Sequence, residues 1–165
     1  HNQSRRQRQM CIRDRRILKQ IEGGWIVQTE EAPIIDWSTA KTVTEKKVTQ
    51  EEIDSMKFAV RVCEQVKSNA IVMVQGLATV GIGPGQTSRV EAVRIAARRA
   101  GERADGCVLA SDAFFPFADG LEQAAAAGAA SIVQPGGSIR DQEVIDAANR
   151  LGVSMLFTGH RLFRH

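Results

Sequence analysis

The 165-residue chain predicts an α/β fold: a three-layer α/β/α sandwich with a mostly parallel sheet and one hairpin. Three observations point there. Short, continuous apolar runs alternate along the chain with stretches of helical periodicity. Three of those helical stretches follow a Ser or Thr with an acidic residue three positions on, the pattern of a helix start. Glycine and proline fall between the runs, where turns are needed.

The elements follow in order. GGWIVQ (23–28) reads as a strand after a glycine turn, and the next twenty residues, polar and threonine-rich, read as a long connection. Thr49 with Glu52 forms a capping box, and Ile53, Met56, Val60 and Cys63 recur at helical spacing, so 50–66 is an amphipathic helix. SNAIVMVQGLATVGIG (68–83) holds two apolar runs broken at Gln75 and Gly76, a β-hairpin. Ser88 with Glu91 caps a helix over 89–103, with Val90, Val93, Ile95 and Ala96 inward and arginines outward. CVLAS (107–111) is a buried strand, followed by a helix over 120–127 that Gly128 ends. ASIVQ (130–134) is a strand, 139–150 a helix capped by Ser138 with Asp141 and stopped by Gly152, and VSMLFT (153–158) the last strand.

Composition narrows the function classes. With 43% hydrophobic and 25% charged residues the chain is neither disordered nor membranous. Residues 1–16 hold six arginines against one aspartate, a net of +5, which leaves −2 for the rest of a chain whose total is +3. The basicity is thus a property of the tail; it implies no folded basic face for nucleic acid, and the body reads as mildly acidic. The tail, 1–16, reads as disordered, either a scar of mis-joined sequence or an RNA-binding arm, and 17–165 as one domain. Cys11, Cys63 and Cys107 are widely spaced and odd in number, which suits reduced thiols in a cytosolic protein. No CxxC pair or HxxxH spacing suggests a metal.

Three segments fall where strands feed helices, the usual ligand end of an open α/β sheet. GIGPGQTSR (81–89) resembles a phosphate loop only loosely, lacking the GK[ST] ending, and reads equally as a turn. QPGGSIRD (134–141) is another glycine turn. SDAFFPFADG (111–120) concentrates Phe114, Phe115 and Phe117 around Pro116. It is either a core plug beneath a loop or an aromatic wall for a planar heterocycle, with Asp119 placed to accept that ring's N–H donors or simply to cap the next helix.

Five motifs in order carry a resemblance: KSNAIV (67–72), VGIGPGQTSR (80–89), SDAFFPFADG (111–120), QPGGSIRD (134–141) and FTGHRLFRH (157–165). They resemble the C-terminal part of the bifunctional purine biosynthesis family, which combines AICAR transformylase with IMP cyclohydrolase. The likeness runs from about residue 17 to the last residue. It implies the second transformylase subdomain, with a cytidine-deaminase-like fold, in a cytoplasmic homodimeric parent. It also implies formyl transfer from 10-formyltetrahydrofolate to AICAR, with no metal, membrane or nucleic acid involved. By motif position, Asn69 and Arg89 would hold the carboxamide of the ribotide, with Phe114 close by through its backbone, and Arg161 would pair with its phosphate. Val90, Asp119, Ser138 and Ile139 would face the folate. The family's catalytic Lys-His pair lies in the preceding subdomain, and no Lys-His dipeptide occurs here. The fragment would therefore bind without turning over. The competing reading is a non-catalytic structural or dimerising module, which a fully buried aromatic segment would favour.

Overall fold

The computed structural model describes residues 16–29 and 35–164. Nearly all of the 1–16 tail, with Cys11 and both readings of it, lies outside the described residues. The chain divides into two compact units, one ending at Ile34 and the other running from Ile35.

In the first unit, β1 (Arg16–Ile21) pairs antiparallel with β2 (Gly24–Thr29), with Ile21 opposite Gly24 and Leu18 opposite Val27. Gly23 takes the positive φ of 82° that the two-residue turn needs. The expected strand is present. Its partner β1 was not foreseen, because RILKQI lacks clean alternation.

The second unit builds a six-stranded sheet. Its strands are β3 (Lys41–Thr42), β4 (Ile71–Gln75), β5 (Ala78–Gly83), β6 (Val108–Ser111), β7 (Ser131–Gln134) and β8 (Ser154–Phe157). Their order across the sheet is β3-β8-β7-β6-β4-β5. The later part is parallel, β6 with β7 and β7 with β8, as alternating strands and helices require. The other pairings, β3 with β8, β4 with β5 and β4 with β6, are antiparallel. The sheet is therefore mixed, which corrects the mostly parallel expectation. The cause is topological: β4 runs antiparallel to both β5 and β6, so the hairpin joins the sheet through β4 and leaves β5 at its edge.

Four helices cover the faces: α1 (Gln50–Cys63), α2 (Arg89–Ala100), α3 (Ala118–Ala126) and α4 (Asp141–Leu151). Strand side chains alternate between two cores. Ile71, Met73, Leu109, Ile132 and Met155 join α2, α3 and α4 on one face. Val72, Val74, Val108, Ala110, Val133 and Leu156 meet Met56, Ala59, Val60 and Cys63 of α1 on the other. That arrangement is the three-layer sandwich.

The helix starts differ in detail. The Thr49–Glu52 box is complete, with Glu52 N donating to Thr49 Oγ1 at 3.2 Å and Thr49 N to Glu52 Oε2 at 2.7 Å. At α2 Ser88 accepts from Glu91 N at 3.5 Å, but the Glu91 carboxylate pairs with Arg94. At α4 the roles reverse. The Asp141 carboxylate accepts from Gly137 N at 2.7 Å and Ser138 N at 3.1 Å, so the helix opens at Asp141 rather than 139. Helix α3 opens at Ala118, two residues before the expected start, which puts Asp119 inside its first turn.

Gly81 and Gly83 are explained by packing. A Cβ added at Gly83 would meet Ala92 O at 1.9 Å, and one at Gly81 would meet Ala96 O at 2.1 Å. Two glycines on one strand face thus face two alanines one turn apart on α2, and backbone touches backbone. These glycines are not a phosphate cradle. Both described cysteines are free and buried, as expected; burial pushes the Cys107 thiol up to about 11 and the Cys63 thiol further still.

At the far rim, Glu52 does a second job. Its Oε1 accepts from Ser131 Oγ and lies 3.4 Å from Ser154 Oγ, tying α1 to the starts of β7 and β8. Burial raises this carboxyl, but hydrogen bonds from Ser131 and Thr49, with Lys46 nearby, outweigh burial and hold it below its ordinary 4.5. Its folded value lies below the unfolded one, so its contribution is present above the unfolded value and lost as pH falls through the folded one. Urea titrations of the unsubstituted chain and Glu52→Gln are expected to differ near neutral pH and to converge as the pH falls through the folded value of this carboxyl, below its ordinary 4.5.

Candidate functional site

The C-terminal ends of β6 and β7, and the N-terminal end of β4 beside them, share one rim of the sheet, since Ile71 pairs with Ser111. Three chain segments rise from that rim around a cleft of about 420 Å³: the start of α2, the aromatic loop leading into α3, and the C-terminal stretch at 161–163. Asn69, at the foot of β4, completes it.

The aromatic segment resolves into two functions. Phe115 is fully buried, its ring lies against Gly120, where a Cβ would meet it at 2.6 Å, and its N–H donates to Gln134 Oε1 at 2.7 Å. It is the plug. Phe114 is half-buried and Phe117 exposed, and both line the cleft. They are the wall. Arg161 extends over Phe114, 5.2 Å from the ring centroid, and over Phe163 at 6.0 Å; Arg140 sits 4.7 Å above Phe117.

Arg89, expected at a helix start, is buried there rather than splayed into solvent. Its guanidinium donates to Asp112 Oδ1 at 2.5 Å, Ser111 Oγ at 2.8 Å and Asn69 Oδ1 at 2.8 Å. Asn69 is held in turn by Gln86, whose carbonyl accepts from Asn69 N at 3.1 Å and Nδ2 at 2.8 Å. Asp112 is fully buried, and its backbone accepts from Leu162 N at 2.8 Å and donates to Ala70 O at 3.2 Å. One residue therefore ties β4, α2 and the C-terminal stretch together.

Of the residues singled out from the sequence, Asn69, Arg89, Val90, Phe114, Asp119 and Arg161 line this cleft. Asp119 is exposed at the mouth, with Oδ1 accepting from Gly120 N at 2.7 Å. Ser138 and Ile139 are not part of the lining: Ser138 Oγ accepts from Arg140 N, and Ile139 is fully exposed. From the 134–141 segment, Gln134 accepts from Phe115 N and Arg140 lies over the Phe117 ring, and neither lines the cleft itself. His160, turned to Thr158 O at 2.9 Å, is not part of the lining either. Asp112 has no role in the sequence reading, although an acid one step beyond a buried strand at the ligand end of a sheet is itself a signal. Among the described residues, no group of three His, Cys, Asp or Glu side chains can hold a metal ion, and no helix is long and apolar enough to cross a membrane.

The arrangement suits a ligand with a flat ring, a neutral polar group at the Asn69–Arg89 end and an anion near Arg161. Comparison with known proteins adds the relatives. A family model described as "AICARFT/IMPCHase bienzyme" matches residues 4–99. The bifunctional purine biosynthesis protein PurH of Acetivibrio thermocellus is 54% identical over 148 residues, 90% of this chain and 29% of that protein. PurH of Ruminiclostridium cellulolyticum is 47% identical over the same span and shares. The chain thus spans about 29% of the length of the curated relatives it matches. Among solved structures, Acinetobacter baumannii RibD aligns with a TM-score of 0.45 and 15% identity, covering 65% of this chain and 34% of that one. That is too distant to carry an argument about the fold.

Proposed function

Since this chain belongs to the AICARFT/IMPCHase bienzyme family, we propose that it supplies the ribotide- and folate-binding part of an AICAR formyltransferase in purine biosynthesis. The reading assigns it to the second transformylase subdomain of a homodimeric parent that also carries IMP cyclohydrolase activity. The observation that carries it is the convergence of Asn69, Arg89, Val90, Phe114, Asp119 and Arg161 on one cleft.

The reaction transfers a formyl group from 10-formyltetrahydrofolate to the 5-amino group of the ribotide. That amine is a weak nucleophile, its lone pair being delocalised into the ring and carboxamide. Orientation is therefore a large part of catalysis. Asn69 and Arg89 offer N–H donors to the carboxamide oxygen, and Arg161 a planar cationic fork to the phosphate. The exposed faces of Phe114 and Phe117 suit a planar heterocycle, with the Asp119 carboxylate beside them for its N–H donors. Ser138 and Ile139 remain folate contacts in this reading only if the cofactor reaches beyond the cleft. Proton removal and oxyanion stabilisation belong to the Lys-His pair of the preceding subdomain.

Calorimetric titration with AICAR tests the proposal. The chain is expected to bind the ribotide, and Arg161→Ala to weaken binding by at least about tenfold, the loss of hydrogen bonds to a charged group worth roughly 1.5–3 kcal/mol. Formyl transfer by the chain alone is expected to be undetectable. Absence of ribotide binding would refute the binding role, and turnover by the isolated chain would refute the division of labour.

A further inference from the structure

The two arginines of the cleft are electrically different. Arg161 is exposed, lies over the rings of Phe114 and Phe163, and has no carboxylate partner among the described residues. It remains a cation available to an anion. Arg89 is paired with Asp112, and the Asp112 carboxylate has no other hydrogen-bond partner: Oδ1 takes the Arg89 bond and Oδ2 takes none among the described residues. The whole buried negative charge is directed at that one guanidinium.

Counting donors sharpens the contrast. A guanidinium carries five N–H groups. Those of NH1 go to Asp112 and Ser111, and one of NH2 goes to Asn69. Ser111 Oγ donates onward to Ala113 O at 2.7 Å, so it must accept from Arg89, which fixes the direction of the network. The Nε–H and one NH2 hydrogen have no hydrogen bond among the described residues. With the second N–H of Asn69 Nδ2, this end of the cleft presents N–H donors, while its net charge is zero. A carbonyl oxygen of an uncharged amide matches such a surface. A carboxylate would find the same donors, but with the Asp112 charge fixed directly behind them, and would have to be desolvated with no net positive charge in return.

We propose that Asp112 is the specificity-setting residue of the cleft: by cancelling the charge of Arg89 through their buried ion pair, it makes the Asn69–Arg89 end select a carboxamide and turn away the corresponding carboxylate. Asp112 is a positioning residue, acting through Arg89 without touching the ligand. The inference rests on the ribotide reading above. It concerns the discrimination between the carboxamide ribotide and its 4-carboxylate analogue, whose charge differs at that group alone.

The experiment measures Kd for both ribotides on the purified chain and on Asp112→Asn. The unsubstituted chain is expected to prefer the carboxamide by about tenfold or more, and Asp112→Asn to shift the ratio of the two constants toward the carboxylate by about tenfold or more, because an uncompensated Arg89 then faces the ligand. A merely structural role would weaken both ligands alike and leave the ratio unchanged, which overturns the inference. Equal binding of both ribotides to the unsubstituted chain overturns it as well, while leaving the ribotide reading intact. Binding of neither defeats that reading and this inference together. If Asp112→Asn does not fold, the neutral double variant Asp112→Asn/Arg89→Gln decides: it is expected to keep the carboxamide preference, and equal acceptance of the carboxylate overturns the proposal.

Discussion

Replacing Phe115 with alanine is expected to lower the unfolding free energy by about 3–5 kcal/mol, the usual loss for a fully buried phenylalanine. Phe115 has no exposed surface and packs against the backbone of Gly120, so truncation leaves a cavity that helix α3 cannot close without moving. The same change at Phe117, which is exposed, is expected to cost no more than about 0.5 kcal/mol. It removes the ring beneath Arg140 and part of the cleft wall. Urea denaturation of the two variants separates plug from wall. Equal losses would mean that the loop is a single structural unit and that the wall has no independent existence.

The second large effect comes from Arg89. Arg89→Met strands the fully buried Asp112 without its cation, and breaking such a pair from one side typically costs about 3–5 kcal/mol. Removing both charges, in Asp112→Asn/Arg89→Met, is expected to recover much of that loss, since the penalty lies in the unpaired charge rather than in the absence of the pair. A double-mutant cycle measured by denaturation gives the coupling directly. If the two losses simply add, the ion pair is not the link holding α2 to the end of β6.

How much of this was legible in the sequence depended on the range of the interaction. The amphipathic helix after Thr49 was readable because its cap, its Glu52 and its apolar spacing all lie within one short segment. The hairpin at β4 and β5 was readable for the same reason. That β4 would lie between β5 and β6 was not, because strand neighbours are chosen by packing across the whole unit. Strand β3, two residues long, leaves no run to detect. In the cleft, the aromatic loop announced itself by composition, but the division between Phe115 and its neighbours depended on which ring met Gly120. The resemblance singled out Arg89, and yet its burial depends on Asp112, 23 residues away, which no local pattern connects to it. Ser138 and Ile139 were chosen by motif position alone, and the local turn at Asp141 keeps them out of the cleft lining.

The contact between β5 and α2 has a consequence for anyone who would vary this protein. Strand and helix meet there with no side chain between them, so positions 81 and 83 allow no adjustment: even a methyl group would have to enter a main-chain oxygen. Ile82, pointing the other way, packs against the α1-side core, where a neighbour can shift to accommodate change. A saturation library across this strand should therefore return an alternating record, glycine alone at two sites and several aliphatic residues at the one between. The start of α2, which carries Arg89, is thus aligned by the absence of two side chains as much as by the presence of any.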